Sequence, residues 1–297
     1  MLDFKSNKIH DLYHWFKSGL KTDHGEREQA AIANEVFFRL FGLSATQRIL
    51  EAEKRLPESD IVILKKVQRR LNLGEPVQYI TGVTDFLNHP IHVRPGILIP
   101  RQETEGLVLW LKEKIEADKR GGDKGCHILD VGTGSGCMAI ALAGYFPFHR
   151  VLACDISEKI LEVARYNALI NNVKIDSFVL DVFSEGTTGG FEGAVDYIIS
   201  NPPYVRESEK TVMAGNVTGY EPSQALFVPD NDPLIYYRAI ASRAMQWLRP
   251  GGWVFFEINE ALANQCLQQM AMAGFMEASI RQDIHDRDRY LRARKPC

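Results

Sequence analysis

Residues 127–145 of the 297-residue chain read HILDVGTGSGCMAIALAGY. The apolar run His127–Val131 predicts a buried strand, the loop Gly132–Gly136 follows it, and a helix comes next. Glycines let a backbone turn sharply and approach a ligand closely, and the start of a helix offers free N–H groups to polar ligand atoms. A plain strand–helix turn does not need three glycines in five residues. The G-x-G-x-G spacing also differs from the G-x-G-x-x-G of dinucleotide enzymes, so the stretch predicts a ligand loop of another kind.

Strands and helices alternate around this stretch from Pro100 onward. Other apolar strands are predicted at Val151–Cys154, Ser177–Leu180, Tyr197–Ser200 and Trp253–Ile258. Amphipathic helices lie between most of them. Such alternation indicates βαβ units around a buried, mostly parallel sheet with helices on both faces. Residues 100–297 are therefore expected to form a Rossmann-like α/β domain.

The first 75 residues show only helical spacing of apolar side chains and predict a small all-helical domain. One helix is expected from Gly25 to Phe41 with Gly42 as its C-cap, and another from about residue 58 to residue 71. Ser44 followed by Gln47 has the spacing of a capping box. Residues 76–99 are expected to form a β-hairpin linker, since alternating residues near Phe86 and residues 91–93 flank turn-forming residues.

Composition narrows the class of function. The net charge is -3 and the pI about 6.3, whereas a protein that grips many phosphates needs a dense Lys/Arg surface.

The five cysteines form no C-x-x-C pair, so we expect neither a zinc site nor a disulfide framework, and a reducing cytoplasm fits. His10 and His14 could share a metal on one helix face, but a third ligand is not evident and a solvated face is the preferred interpretation.

Acidic residues follow the second and third predicted strands. Asp155 could hold both ribose hydroxyls of a nucleoside through its carboxylate oxygens, or cap the helix beginning near Ser157; both roles can hold together. Asp181 could accept a hydrogen bond from an adenine amino group, with Val182 and Phe183 against the ring, although aspartate is also common in turns. A nucleoside without phosphate at the glycine loop suits S-adenosylmethionine.

The fourth predicted strand ends in Asn201-Pro202-Pro203-Tyr204. Proline cannot extend a central strand, and Pro202 restricts Asn201 to an extended conformation. In an open α/β sheet this strand end faces the ligand crevice. A rigid loop is the alternative interpretation, but it does not explain this tetrad directly after strand four, downstream of a cofactor loop.

This tetrad suits methyl transfer to a planar nitrogen. An amide lone pair is delocalised into the carbonyl, so acceptors around the NH2 group are needed to aim it. The Asn201 side-chain oxygen and the Pro202 carbonyl are suited to accept those N–H bonds, and Tyr204 can stack on the planar group. Positioning and electrostatics would supply most of the rate, and a strong base is not required before transfer.

The chain resembles the class I methyltransferases in this order of motifs, and more closely the HemK/PrmC family, the release factor glutamine N5-methyltransferases. The similarity covers nearly the whole chain. It includes the helical N-terminal domain, the linker segment Glu75–Gly82, the segment Gly96–Glu105, and Tyr220–Leu226 after the tetrad. The resemblance implies a protein substrate, the glutamine in the Gly-Gly-Gln loop of peptide chain release factors, and S-adenosylmethionine as cofactor.

The resemblance also implies roles for individual residues. The tetrad Asn201–Tyr204 would be catalytic and form the glutamine pocket. Val182 stands where some relatives have an aromatic residue, and the segment Phe256–Asn259 departs from the more usual Glu-Ile-Gly. Arg101 is expected either to contact substrate or to pair with Glu103 or Glu105. The expected cofactor contacts are Asp130, Gly132, Thr133, Gly134, Ser135, Gly136, Asp155, Asp181, Val182, Phe183 and Asn201.

Two other functions fit part of the pattern. A nucleic-acid methyltransferase acting on adenine N6 or guanine N2 must also orient a planar nitrogen toward the methyl group. Such an enzyme normally has a basic surface and a module that reads or flips the target base. The other is a non-enzymatic cofactor-binding partner, and the intact glycine loop, Asp155 and Asn201 argue against such a degenerate enzyme. The long connection 205–232 and the helical domain are expected to embrace the release factor, with a monomeric enzyme and no direct nucleic-acid contact.

Overall fold

The computed structural model describes residues 6–21, 25–118, 125–184, 190–213 and 215–297. These residues form two compact units. One contains the described residues up to Val83 together with 215–220, and the other contains the rest. Each unit has its own apolar core.

The first unit is helical, as the apolar spacing indicates. It contains α1 Ile9–Ser18, α2 Glu26–Phe41, α3 Ala45–Leu50, α4 Glu58–Asn72 and α5 Val77–Thr81. Leu12, Phe16, Val36, Phe37 and Leu64 are fully buried in its core, which removes their apolar surface from water and stabilises the bundle.

The expected helix ends of this unit are confirmed. Gly42 ends α2 with a left-handed φ of 68°. Ser44 and Gln47 form a capping box at the start of α3: the Ser44 hydroxyl accepts from the Gln47 N–H, and the Gln47 side chain accepts from the Ser44 N–H. This exchange satisfies two N–H groups that the helix itself cannot pair.

The predicted hairpin is present but occupies only the middle of residues 76–99. Strands β1 Val83–Phe86 and β2 His89–His92 pair through a turn in which Leu87 and Asn88 both have positive φ, 46° and 65°. Two such residues give the turn that matches the twist of a two-stranded hairpin. The first part of the segment is helix α5 instead, which ends at Gly82.

The second unit is built on a sheet of seven strands. Its elements up to the tetrad are α6 Gln102–Asp118, β3 His127–Val131, α7 Cys137–Tyr145, β4 Arg150–Asp155, α8 Glu158–Ile170, β5 Asp176–Val179 and β6 Val195–Ser200. The later ones are β7 Val205–Arg206, α9 Gly215–Tyr220 (part of the helical unit), β8 Phe227–Val228, α10 Ile235–Trp247, β9 Leu248–Glu257, α11 Ala263–Met272, β10 Met276–Gln282 and β11 Asp288–Arg294.

All five predicted apolar strands are therefore confirmed: β3 has the predicted bounds, and the ends of the other four shift by at most five residues. Strands β3, β4, β5, β6 and β9 run parallel, and β11 pairs antiparallel with both β9 and β10. The strand order in the sheet is β10-β11-β9-β6-β3-β4-β5, and it reverses at β3, which lies between β4 and β6. The carboxyl ends of β3, β4 and β6 thus meet at the switch point where open α/β sheets bind ligands.

Two parts of the second unit differ from the sequence analysis. The antiparallel pair β10–β11 was not predicted, and the connection 205–232 is not a plain loop, because β7 and β8 pair in parallel within it. The described ranges contain no helix that is long and apolar enough to cross a membrane.

Candidate active site

A cavity of about 480 Å³ opens at the carboxyl ends of β3, β4 and β6. Its volume lies in the usual range for small-molecule and cofactor sites. Both predicted groups of site residues contribute to its wall, the glycine loop from one side and the start of the tetrad from the other. An apolar part of the wall is formed by Ile97, Leu98, Ile156, Ile160, Leu180, Val182, Phe183 and Ile240.

The glycine loop leaves open space in front of its backbone. Gly132 and Gly134 have positive φ, 73° and 55°, and a Cβ added at either would meet nothing within 4 Å. Gly136 serves packing instead, because an added Cβ would lie 3.0 Å from Cβ of Ala164 on α8. Gly132, Thr133, Gly134 and Ser135 line the cavity, so the loop presents bare backbone to whatever fills it.

Asp130 lies behind the loop rather than at the cavity wall. Its Oδ2 accepts from the Thr133 hydroxyl at 2.7 Å and from the Ala139 N–H at 3.2 Å, which ties the loop to the first turn of α7. Complete burial raises the pKa of Asp130 to about 7. Within the described part of the chain, its second oxygen, Oδ1, has no hydrogen-bond partner.

Asp155 is the last residue of β4 and lines the cavity. Its Oδ2 accepts from the Gly134 N–H at 3.0 Å and its Oδ1 from the Ser157 N–H at 3.4 Å. Burial raises its pKa, and these backbone donors oppose that rise. Ser157 occupies the N-cap position of α8 without a capping hydrogen bond from its side chain. Each carboxylate oxygen keeps a further lone pair for a ligand hydroxyl.

Asp181, Val182 and Phe183 all line the cavity next to the apolar wall. Asp181 also has the turn role considered for it, since its Oδ1 accepts from the Phe183 N–H at 2.9 Å. The Phe183 ring contacts Tyr236 edge-on, with centroids 5.1 Å apart, and Tyr236 lines the same cavity. An aromatic and aliphatic slot therefore closes one end of the cavity.

Asn201, Pro202 and Pro203 line the cavity at the end of β6. The Asn201 amide nitrogen, Nδ2, donates to the Thr104 hydroxyl at 3.1 Å. This hydrogen bond uses the NH2 group of the Asn201 side chain, and the carbonyl oxygen of the same amide remains an acceptor.

Tyr204 does not line the cavity wall to which its three predecessors contribute. Its hydroxyl donates to Glu257 Oε1 at 2.8 Å, and its ring packs against the main core. Its carbonyl accepts from Asn259 Nδ2 at 3.2 Å, and the same amide group donates to Glu209. Asn259 thus fastens the chain on both sides of β7.

Arg101 forms a salt bridge, but with neither of the glutamates considered for it. Its guanidinium donates to Glu221 Oε1 at 2.6 Å, and the second oxygen of Glu221 accepts from the Ile99 N–H at 3.1 Å. The Glu221 side chain is 1% exposed. This bridge joins two segments that both line the cavity, Gly96–Arg101 and Pro222–Ala225.

Sequence reasoning missed several residues of the cavity wall. They come from segments whose similarity to the family was noted without any assigned role, and from helices without a motif. The missed residues are Gly96, Ile97, Leu98, Ile99, Pro100, Thr104, Val131, Cys137, Met138, Ile156, Ile160, Leu180, Ser200, Pro222, Gln224, Ala225, Tyr236 and Ile240.

The groups that line the cavity fit S-adenosylmethionine. A buried carboxylate at the end of β4 suits ribose hydroxyls, the apolar slot suits a purine ring, and the open backbone of the glycine loop accommodates an amino-acid tail. No dense cluster of Lys or Arg for phosphates lines the described cavity wall, where Arg101 is paired with Glu221. A nucleoside without phosphate matches these chemical groups.

The strand order and the position of the cavity define the Rossmann-like class I methyltransferases. Comparison with known proteins agrees: residues 109–218 match the family model described as methyltransferase small domain, and residues 11–82 match the PrmC N-terminal domain. Among solved structures, a methyltransferase from Pyrococcus furiosus is 22% identical, with a TM-score of 0.47 over 70% of this chain and 89% of that one.

Curated relatives are more specific. The release factor glutamine methyltransferase of Bacteroides thetaiotaomicron is 43% identical over 78% of this chain and 80% of that protein. The enzyme of the same name from Flavobacterium psychrophilum is 35% identical over 93% of this chain and 95% of its own length. The chain belongs to the release factor glutamine methyltransferase family.

Proposed function

We propose that this chain transfers a methyl group from S-adenosylmethionine to the side-chain amide nitrogen, N5, of the glutamine in the Gly-Gly-Gln motif of peptide chain release factors. The observation that carries the proposal is that Asn201 and Pro202 line the cofactor cavity. The curated relatives of the chain are named release factor glutamine methyltransferases. Those relatives match both the helical unit and the α/β unit.

The chemistry needs orientation more than it needs a base. The cofactor supplies an electrophilic methyl group on a sulfonium. The Asn201 oxygen and the Pro202 carbonyl accept the two N–H bonds of the glutamine amide and turn its lone pair toward the methyl. With the cofactor bound, the N–C bond would form as the S–C bond of the sulfonium breaks, and the nitrogen would then lose one proton to water. The resulting products are N5-methylglutamine and S-adenosylhomocysteine.

The remaining site residues have two kinds of role: some hold the cofactor or the substrate, and others support the residues that do so. The loop residues Gly132–Ser135, with Asp155, hold the tail and ribose, and Asp181, Val182 and Phe183 hold the adenine. Asp130 and Gly136 support the loop from behind. Pro203 lines the glutamine pocket, and Tyr204 anchors the tetrad through Glu257. Arg101 shapes the pocket through its bridge to Glu221 and contacts substrate from there.

Mass spectrometry tests the proposed reaction directly. After incubation of a release factor with enzyme and cofactor, the tryptic peptide containing Gly-Gly-Gln is expected to gain one methyl group, located on the glutamine by fragmentation. A release factor with that glutamine changed to glutamate is the control and should stay unmodified. Transfer of tritiated methyl to DNA or RNA, with none to the release factor, would instead establish the exocyclic amine alternative.

We propose that the helical unit recognises the release factor. We also propose that the enzyme acts in the cytoplasm, as a monomer and without direct nucleic-acid contact. The net charge of -3 and the release factor in the names of the curated relatives support this view. Deletion of residues 1–74 is expected to reduce activity on intact release factor far more than cofactor affinity. Retained cofactor binding serves as the control for folding of the α/β unit, and unchanged kinetics on intact release factor would contradict the assignment.

A further inference from the structure

A buried chain of hydrogen bonds extends from the cavity wall into the core. Asn201 Nδ2 donates to Thr104 Oγ1 at 3.1 Å, and the Thr104 hydroxyl donates to Glu257 Oε2 at 2.7 Å. Glu257 Oε1 accepts from the Tyr204 hydroxyl at 2.8 Å. The three elements that meet here are the first turn of α6, the end of β6 and the last residue of β9.

The direction of these hydrogen bonds follows from the proton count. A threonine hydroxyl has one proton, and an ionised carboxylate can only accept. Since the Thr104 proton is committed to Glu257, the Thr104 oxygen can only accept from Asn201. The Asn201 side chain must therefore turn its NH2 group to Thr104 and its carbonyl oxygen the other way.

The surroundings of Glu257 act on the charge of its carboxyl group in both directions. Its side chain is fully buried, which raises its pKa, while the hydroxyls of Thr104 and Tyr204 and the charge of Arg289 oppose that rise. Glu103 is the other charged group that acts on it and raises its pKa further. Both carboxylate oxygens have a hydroxyl donor, one each, which satisfies a buried carboxylate better than a neutral acid.

We propose that Glu257, acting through Thr104, is a positioning residue that fixes which face of the Asn201 amide is presented to the substrate. The proposal rests on the proposed function, because an oxygen facing the substrate is what a glutamine NH2 group requires. Without the relay, the Asn201 amide can rotate by half a turn and present its own NH2 group, which would repel the substrate amide.

A double-mutant cycle tests whether Thr104 acts through Asn201. Thr104→Val, which keeps the shape and removes the hydroxyl, is expected to lower kcat about tenfold to a hundredfold, and Thr104→Ser is expected to restore most of it. In an Asn201→Ala background, Thr104→Val should have no further effect. Full additivity of the two substitutions would overturn the relay.

Glu257→Gln tests the direction of the relay. A glutamine can keep accepting from Tyr204 while its own NH2 group donates to Thr104, which frees the threonine proton for the Asn201 oxygen and reverses the amide. We expect a loss of kcat similar to that of Thr104→Val. Activity near that of the unmodified enzyme would show that a donor at this position serves equally well, and the proposal would be wrong.

NMR provides a readout that needs no turnover. The side-chain NH2 resonances of Asn201, assigned by their loss in Asn201→Ala, are expected to shift in Thr104→Val and Glu257→Gln and to return in Thr104→Ser. Unchanged resonances would overturn the relay even if the enzyme is active. A wild-type enzyme without activity on release factor, but with these shifts, would overturn the proposed function and leave the relay standing.

Discussion

Asn201→Ala is expected to lower kcat for glutamine methylation by about 10²–10³-fold, the range that loss of one preorganised polar group in an active site commonly produces. The side chain lies at the cavity wall, and its oxygen is the acceptor that would hold a substrate N–H bond. An alanine leaves the substrate lone pair in conjugation with its carbonyl, so the nitrogen stays a poor nucleophile. Single-turnover transfer of tritiated methyl to the release factor measures the effect.

The matched control for this substitution is Asn264→Ala, which removes an exposed amide on α11. It should leave kcat unchanged. Retention of more than a tenth of the activity by Asn201→Ala would contradict the role proposed for the amide.

Asn201→Asp tests whether an acceptor toward the substrate is sufficient without an N–H group toward Thr104. An aspartate retains an acceptor toward the substrate, yet it has no N–H for Thr104, whose single proton already goes to Glu257. Two oxygens without a proton between them repel each other, so this variant should be nearly as impaired as the alanine. Full activity would mean that any acceptor at this position is sufficient.

The parts of the fold that the sequence predicted well have local causes. A buried parallel strand needs a continuous apolar run, and a loop that approaches a ligand needs glycine, so β3 and Gly132–Gly136 could be assigned from neighbouring residues alone. The capping box at Ser44 and Gln47 has the same local character.

Strands β10 and β11 lacked such a signal because arginines occupy them. Arg292 on β11 stacks over Trp110 and Trp253, 4.8 Å and 5.2 Å from the ring centroids, and Arg281 on β10 stacks over Trp110 at 4.8 Å. A guanidinium on an aromatic face covers apolar surface as an aliphatic residue does. In the sequence, however, the same residues suggest a solvated segment.

The site was predictable where its residues follow strand ends, and not where they meet across the fold. Thr104 and Glu257 are 153 residues apart, and Arg101 and Glu221 are 120 residues apart, so no spacing pattern joins them. The predicted pairing of Arg101 with Glu103 or Glu105 was wrong because sequence reasoning sees only neighbouring residues. Stacking of Tyr204 on substrate stays a prediction, and its hydroxyl contact with Glu257 became visible only in the fold.

Asp155→Ala is expected to raise the dissociation constant of S-adenosylmethionine about 10²-fold. Hydrogen bonds to a charged group contribute about 1.5–3 kcal/mol each, and two ribose hydroxyls on one buried carboxylate would together exceed the roughly 2.8 kcal/mol that this factor requires. Part of the excess is offset because the cavity and the cofactor must both lose water when they meet. Isothermal titration calorimetry with cofactor, and with S-adenosylhomocysteine, measures the change.

Two matched variants separate the ribose contacts from the support that Asp155 gives to the loop. Asp155→Asn keeps the shape and an acceptor for the Gly134 N–H but removes the charge, so an intermediate loss of affinity is expected. Asp181→Ala removes one proposed adenine contact and should cost only about tenfold, a single hydrogen bond's worth. If Asp155→Ala bound cofactor no more weakly than Asp181→Ala, the ribose would have to be held elsewhere. The acid that ends β4 would then serve mainly to shape the glycine loop.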